Sequence, residues 1–222
     1  MISEMSVPQA LAVSVLPILF AITLHEVAHG WVASLFGDQT ARLSGRLTLN
    51  PIKHIDLVGT IIVPITMLVF TGFMFGWAKP VPVDARNMRN PRWNMIAVAA
   101  AGPLSNIIMT LIWALIGKLG LMLLPTTLWL GQPLYFMGQA GILVNVVLAV
   151  LNILPIPPLD GGRILANLLP GRAAWHMSKL EPYMFLILVL LMVTKVLSQI
   201  ILPPILFITQ WISNLFGLPP VF

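Results

Sequence analysis

The chain has 222 residues, of which 58% are hydrophobic and only 9% charged. A soluble domain carries about 25% charged residues, so this composition excludes one and specifies an all-α polytopic membrane protein with no separate soluble domain. The net charge of +5 does not point to nucleic acid, because the basic residues stand in short loops between apolar runs, where they set orientation in a bilayer.

The first apolar run, 10–36, has no basic segment ahead of it and is not read as a cleaved signal peptide. It carries His25-Glu26-Val27-Ala28-His29. Further runs lie at 57–76, 94–118, 134–153 and 183–202, and a shorter one at 205–217 follows an expected break at Pro203-Pro204. Loops 37–56, 77–92 and 154–182 hold ten of the twelve Lys and Arg. The positive-inside rule assigns all three to the cytoplasmic face. That assignment requires 57–76 to enter and leave on one side. Gly59, Pro64, Gly72 and Gly76 make it a poor straight helix, and irregular backbone is tolerated at that depth only inside protein or beside a wet cavity. The N-terminus is then extracytoplasmic, 10–36 runs inward, 94–118 outward, 134–153 back and 183–202 outward. The whole reads as one membrane domain, with a core at about 10–170 and C-terminal spans at about 183–217.

Ionisable side chains at bilayer depth are costly and mark function. His25 and His29, four apart on a helix, share one face and can reach one ion; H-E-x-x-H is a zinc-site pattern. Glu26 is turned by about 100° from His25, which puts it beside the ion, where it can take a proton from water. A catalytic zinc keeps three protein ligands and an open position, so one ligand must come from elsewhere. Asp160 is the leading candidate. It follows Pro155, Pro157 and Pro158, which extend the backbone, and precedes Gly161 and Gly162, which allow a tight turn. The charge-derived topology brings it to the face where the first run ends. The competing readings are a turn residue or helix N-cap for Asp160, and a histidine pair bonded to carbonyls. Glu181, the only glutamate downstream of the motif, is the rival third ligand.

These residues resemble the site-2 protease family of intramembrane zinc metalloproteases. H-E-x-x-H pairs with a distant L-D-G, here Leu159-Asp160-Gly161, and Gly102-Pro103-Leu104-Ser105-Asn106 is similar to the family's G-P-x-x-N signature. Gly45–Pro51 with His54 and Asp56, and Gly76–Val83, look like a compact prokaryotic subgroup. The resemblance covers about residues 20–170. It implies that His25, His29 and Asp160 bind one zinc ion, that Glu26 is the general base, and that 10–36, 94–118 and 134–153 form a three-helix catalytic core. It also implies a membrane-embedded extended element after the first motif. Many members carry a PDZ or CBS domain, and neither fits this sequence.

The expected function is zinc-dependent endoproteolysis within or near transmembrane segments, in the plasma membrane, with the active site toward the cytoplasm. The implied partners are a transmembrane protein or peptide substrate and the lipid bilayer; the oligomeric state stays open. Asn106 and Asn152 are candidates for oxyanion or substrate binding, or else for bonds to a neighbouring helix. His54 is a candidate neighbour of the zinc site, or else an ordinary loop histidine. Ala78–Val83, extended by Pro80 and Pro82, is a candidate edge for an unwound substrate, or else a connector. The alternative to a protease is a transporter or non-catalytic scaffold that keeps the zinc site. Glu26 separates these, because a transport site needs no base beside its ion.

Overall fold

A computed structural model describes residues 6–63, 66 and 76–221. Among the described residues, seven α-helices follow in chain order: α1 Val7–Leu35, α2 Thr40–Leu43, α3 Pro91–Leu123, α4 Leu128–Asn152, α5 Asp160–Leu168, α6 Gly171–Val193 and α7 Val196–Phe216. Short helical turns lie at Pro51–His54, Leu57–Ile62 and Ala85–Asn87, and there is no strand among the described residues. Among the described residues, four helices are long and apolar enough to cross a membrane, with mean hydropathy of 1.5 to 2.0 over Pro8–Leu35, Pro91–Leu123, Leu128–Asn152 and Val196–Phe216. Each exceeds the ~20 residues that a ~30 Å hydrocarbon layer requires. Leu11, Val15, Trp31 and Leu35 of α1 are exposed, as suits a helix bathed in lipid rather than water. The chain is therefore an all-helical, multi-pass membrane protein.

The ends of the helices have local causes. α1 stops at Gly37, whose φ of +107° lets Asp38 N–H reach back to Ala33 O at 3.1 Å. α7 stops in the same way at Gly217, φ +59°, where Leu218 N–H reaches Ser213 O. This left-handed cap returns donors to the last orphan carbonyls, and glycine adopts it without strain.

The C-terminal third corrects the sequence reading. Pro203 and Pro204 lie inside the continuous helix α7 and do not break it. The break falls earlier, at Lys195, which takes φ +61° while Thr194 N–H and Lys195 N–H close on Leu190 O and Met192 O. The expected span 183–202 is thus divided. Its first part belongs to α6, which contains Pro182 and whose segments Gly171–Met177 and Pro182–Val193 are bent by 46°. A proline lacks its N–H and crowds the carbonyl one turn back, which kinks a helix. Two adjacent prolines early in α7 cost ladder bonds too, but within a membrane helix neighbouring groups re-satisfy the freed carbonyls.

The re-entrant reading of 57–76 concerns mainly 64, 65 and 67–75, which lie outside the described residues. The flanks are described. The Asp56 carboxylate accepts from Gly59 N–H at 2.7 Å and opens the turn Leu57–Ile62. Trp77 N–H donates to Gly59 O at 3.0 Å, and the Thr60 hydroxyl donates to Trp77 O at 2.9 Å. The two ends of the segment are thereby hydrogen-bonded to each other.

Two compact units make up the described chain. The first contains α1 up to Ala21, Pro103–Asn152 and the chain from Ser198. Here α3 and α4 meet through glycine: a Cβ on Gly138 would lie 2.3 Å from Gly117 Cα. Small residues let membrane helices approach closely enough for dispersion and polar contacts to hold them. One such contact is Asn106 Nδ2, which donates to Asn145 Oδ1 at 2.9 Å and to Ala21 O at 3.2 Å.

The second unit runs from Ile22 to Gly102 and from Ile153 to Leu197. Its apolar centre joins Ala33, Met88 and Val98, with Val32, Phe36, Val83 and Met95 packed on them. Asp38, fully buried, ties the loop after α1 to the segment before α3. It accepts from Thr40 N–H, the Thr40 hydroxyl, Asp84 N–H and Asn87 Nδ2. Burial pushes the Asp38 carboxyl up, and those donors outweigh it and hold the group below its usual range. Arg92 closes α5 by donating to the carbonyls of Asn167, Leu168 and Leu169.

Candidate metal centre

His25 and His29 stand one turn apart in the second half of α1, both buried. Their imidazoles meet edge to face, with Nε2 atoms 3.1 Å apart. The His29 ring is fixed from behind: its Nδ1 lies 2.7 Å from the carbonyl of Val98 on α3. A carbonyl only accepts, so Nδ1 carries the proton and Nε2 of the neutral ring presents a lone pair. That arrangement, with one imidazole nitrogen bonded outward and the other aimed inward, orients metal-ligating histidines.

Asp160 arrives from a loop that folds tightly on itself. Ile156 N–H bonds Leu154 O, Leu159 N–H bonds Ile156 O, and the peptide Pro157-Pro158 is cis. The sequence reading took Gly161 and Gly162 as turn glycines; their use is close packing. A Cβ on Gly161 would sit 2.2 Å from Ile153 O, and one on Gly162 would sit 2.3 Å from Pro157 N. Asp160 is the first residue of α5, and its cap residue is Leu159, so its carboxylate is not the N-cap.

That carboxylate instead faces the histidines. Asp160 Oδ2 lies 3.1 Å from His25 Nε2 and 3.3 Å from His29 Nε2. Burial pushes the Asp160 carboxyl up, and the two imidazoles outweigh it and hold it well below the usual carboxylate range. His25, His29 and Asp160 are the metal-capable group found among the described residues, with ligand atoms within 4.8 Å of one another.

Their geometry fits zinc. Ligands about 2.05 Å from an ion at tetrahedral angles stand about 3.3 Å apart. The three separations, 3.1, 3.1 and 3.3 Å, match three edges of that tetrahedron. Asp160 Oδ2 is buried and has no hydrogen-bond partner among the described residues. A proton could serve one pair of these atoms; a cation at the centre serves all three.

Gly102 supplies the room. A Cβ at this position would lie 2.5 Å from His29 Nε2 and 2.6 Å from both Cε1 and Nε2 of His25. Val98 and Gly102 are one turn apart on α3, so that helix both holds the His29 ring and leaves open the space in front of it. The sequence reading placed Gly102 in a motif and gave it no role of its own. Only the packing of α3 against α1 reveals one.

The other candidates stand as follows. Glu26 is half-buried, and its Oε2 accepts from the backbone N–H of Val81 at 2.9 Å. Asn106 is fully buried and engaged with Asn145 and Ala21, while Asn152 Nδ2 donates to Leu148 O in its own helix. His54 is buried outside the metal group, with Nε2 bonded to Thr48 O at 3.0 Å. Its backbone carbonyl accepts from Lys79 N–H. The side chain of Glu181 lies outside the described residues. Asn145 is the polar residue that the sequence reading passed over. An asparagine amid Val, Leu and Gly in the middle of an apolar run was the available signal.

Comparison with known proteins agrees with this chemistry. The profile of Peptidase family M50 matches residues 13–126 and 125–194. YwhC of Bacillus subtilis, named a candidate zinc metalloprotease, is 39% identical over 197 residues, covering 85% of this chain and 84% of its own length. Rip2 of Mycolicibacterium smegmatis, similarly named, is 29% identical over 186 residues, covering 82% of this chain and 66% of its own. A third such protein, from Methanocaldococcus jannaschii, is 38% identical over 68 residues, 31% of each chain. No solved structure gives a significant match.

Proposed function

Because the chain belongs to peptidase family M50 and is a zinc-dependent metalloprotease, we propose that it hydrolyses peptide bonds within or beside transmembrane segments, with His25, His29 and Asp160 as zinc ligands and Glu26 as general base. One observation carries the reading. Two imidazole nitrogens and a carboxylate oxygen converge at tetrahedral spacing, and the two nitrogens project from a helix long enough to span a bilayer.

When bound there, zinc supplies a Lewis acid that lowers the pKa of water toward ~7 and polarises the scissile carbonyl. Glu26 takes the proton from the attacking water and returns it to the departing amine. Its carboxylate is held ready by Val81 N–H, so it faces the reaction without searching rotamers. His29 is kept in the ligating tautomer by Val98, and Gly102 keeps bulk away from the space before the imidazoles. A substrate helix must unwind locally to expose its peptide bond. The polar residues Asn106 and Asn152 are the remaining candidates to meet the developing oxyanion.

The orientation that follows has an extracytoplasmic N-terminus and the site toward the cytoplasmic side of the plasma membrane. The described flanks of 57–76 support it. A single crossing separates its ends by about 30 Å, whereas Gly59 and Thr60 are hydrogen-bonded to Trp77. The test is cleavage of transmembrane peptides by purified, zinc-loaded protein. Glu26→Gln should keep zinc and lose cleavage by about 10² to 10⁴-fold. Retained cleavage by that variant would overturn the mechanism.

A further inference from the structure

The segment Lys79-Pro80-Val81-Pro82 is extended by its two prolines, and those prolines remove two of its amide protons. Val81 N–H is the one amide donor between Lys79 and Val83, and it is bonded to Glu26 Oε2 at 2.9 Å. The neighbouring backbone is also engaged, on its other polar groups. Lys79 N–H donates to His54 O at 2.9 Å. Arg46 Nη2 donates to Lys79 O at 3.2 Å and Pro80 O at 3.1 Å, while Arg46 Nη1 donates to Lys53 O.

One guanidinium thus gathers three carbonyls from two chain segments. A planar fork of fixed donors does this; a flexible ammonium does not reproduce it. The loop carrying Arg46 is itself braced: His54 Nε2 donates to Thr48 O within it, and the Asn50 carboxamide caps the turn Pro51–His54. A hydrogen-bonded path therefore runs from the 45–54 loop, through Arg46, to the strap and on to the Glu26 carboxylate. The Lys79 and Val81 amides and the Lys79 and Pro80 carbonyls bond protein groups, so these backbone groups serve the enzyme's own side chains before any incoming strand.

We propose that Arg46 is a positioning residue for Glu26, acting through the Lys79–Val81 strap and the Val81 amide. This rests on Glu26 being the general base. Without Arg46, the strap keeps its extended backbone but loses its registration against the base. Arg46 bonds none of the candidate zinc ligands, so the loss falls on the chemical step.

The experiment compares wild type, Arg46→Ala, Arg46→Lys and Glu26→Gln as purified, full-length, zinc-loaded protein. Zinc content, steady-state cleavage of a transmembrane peptide and backbone amide exchange are measured on each. The two prolines make Val81 the sole exchanging amide of its tripeptide, so its signal is read without ambiguity. Arg46→Ala should keep its zinc, exchange Val81 about tenfold faster, as the loss of one supporting contact implies, and lose kcat by about 10²-fold with KM within about twofold. Arg46→Lys should fall between Arg46→Ala and wild type in both exchange and kcat.

Unchanged Val81 exchange in Arg46→Ala overturns the proposal, and so does faster exchange with unchanged kcat. Loss of zinc by both Arg46 variants overturns it as well, because Arg46 would then support the whole site. A Glu26→Gln protein that still cleaves defeats the general-base reading instead, whatever Val81 does in the Arg46 variants.

Discussion

Gly102→Ala adds one methyl group at the place where the candidate ligands converge. Its Cβ would stand 2.5 Å from His29 Nε2 and 2.6 Å from His25 Nε2, about 0.9 Å inside ordinary contact for the closer pair. The rings cannot simply lean away. His29 is tied to Val98 O at 2.7 Å, and His25 is packed edge-on against His29. A shift of that size exceeds the ~0.2 Å over which metal–ligand distances are tolerated. Zinc affinity should fall about 100-fold or more, equivalent to about 2.7 kcal/mol. The assay is competition for zinc between purified protein and a chromophoric chelator, with Gly171→Ala as control, because a Cβ there meets nothing within 4 Å. If Gly102→Ala binds zinc as tightly as the control, the ion does not sit before these imidazoles, and the geometric reading of the site is refuted.

Asp160→Ala should release zinc and abolish cleavage while Glu181→Ala retains both, measured by metal analysis of the purified variants; the reverse pattern would exchange the third ligand. Asp38→Asn should destabilise the protein at pH 7 by about 1–3 kcal/mol, because an amide cannot accept from all four donors. The Asp38 carboxyl is held below its ordinary value of 3.8, so its contribution is present above about pH 4 and lost as pH falls through the lowered folded value. Thermal melts should therefore show the gap between wild type and Asp38→Asn closing on acidification below pH 4; a constant gap would contradict the assignment.

The spans at 10–36, 94–118 and 134–153 were legible because an apolar run of that length is a sufficient signal for a membrane helix. The runs beyond residue 183 were misdivided. Local rules read Pro203-Pro204 as a break, yet α7 accommodates both, and the turn is made by Lys195 in a conformation that sequence rules reserve for glycine or asparagine. The grouping of His25, His29 and Asp160 was legible through spacing on one side and loop charge on the other. What surrounds them was not. Gly102 matters through the atom it lacks, and the Val81 contact with Glu26 uses a backbone proton that every residue but proline possesses. Asp38 looked like an ordinary loop acid until its four donors, two of them more than forty residues away, were brought to it.

The loop that ends at Asp160 has a consequence outside chemistry. The proposed ligand set joins a pair on one helix to a residue roughly 130 positions later, so an ion held there would work as a removable staple closing most of the chain into a ring. Binding free energy and folding free energy then become one quantity, and the protein's resistance to unfolding should rise with the logarithm of free zinc. With those ligands, metal supply would set how long each copy survives in the membrane as well as whether it can act.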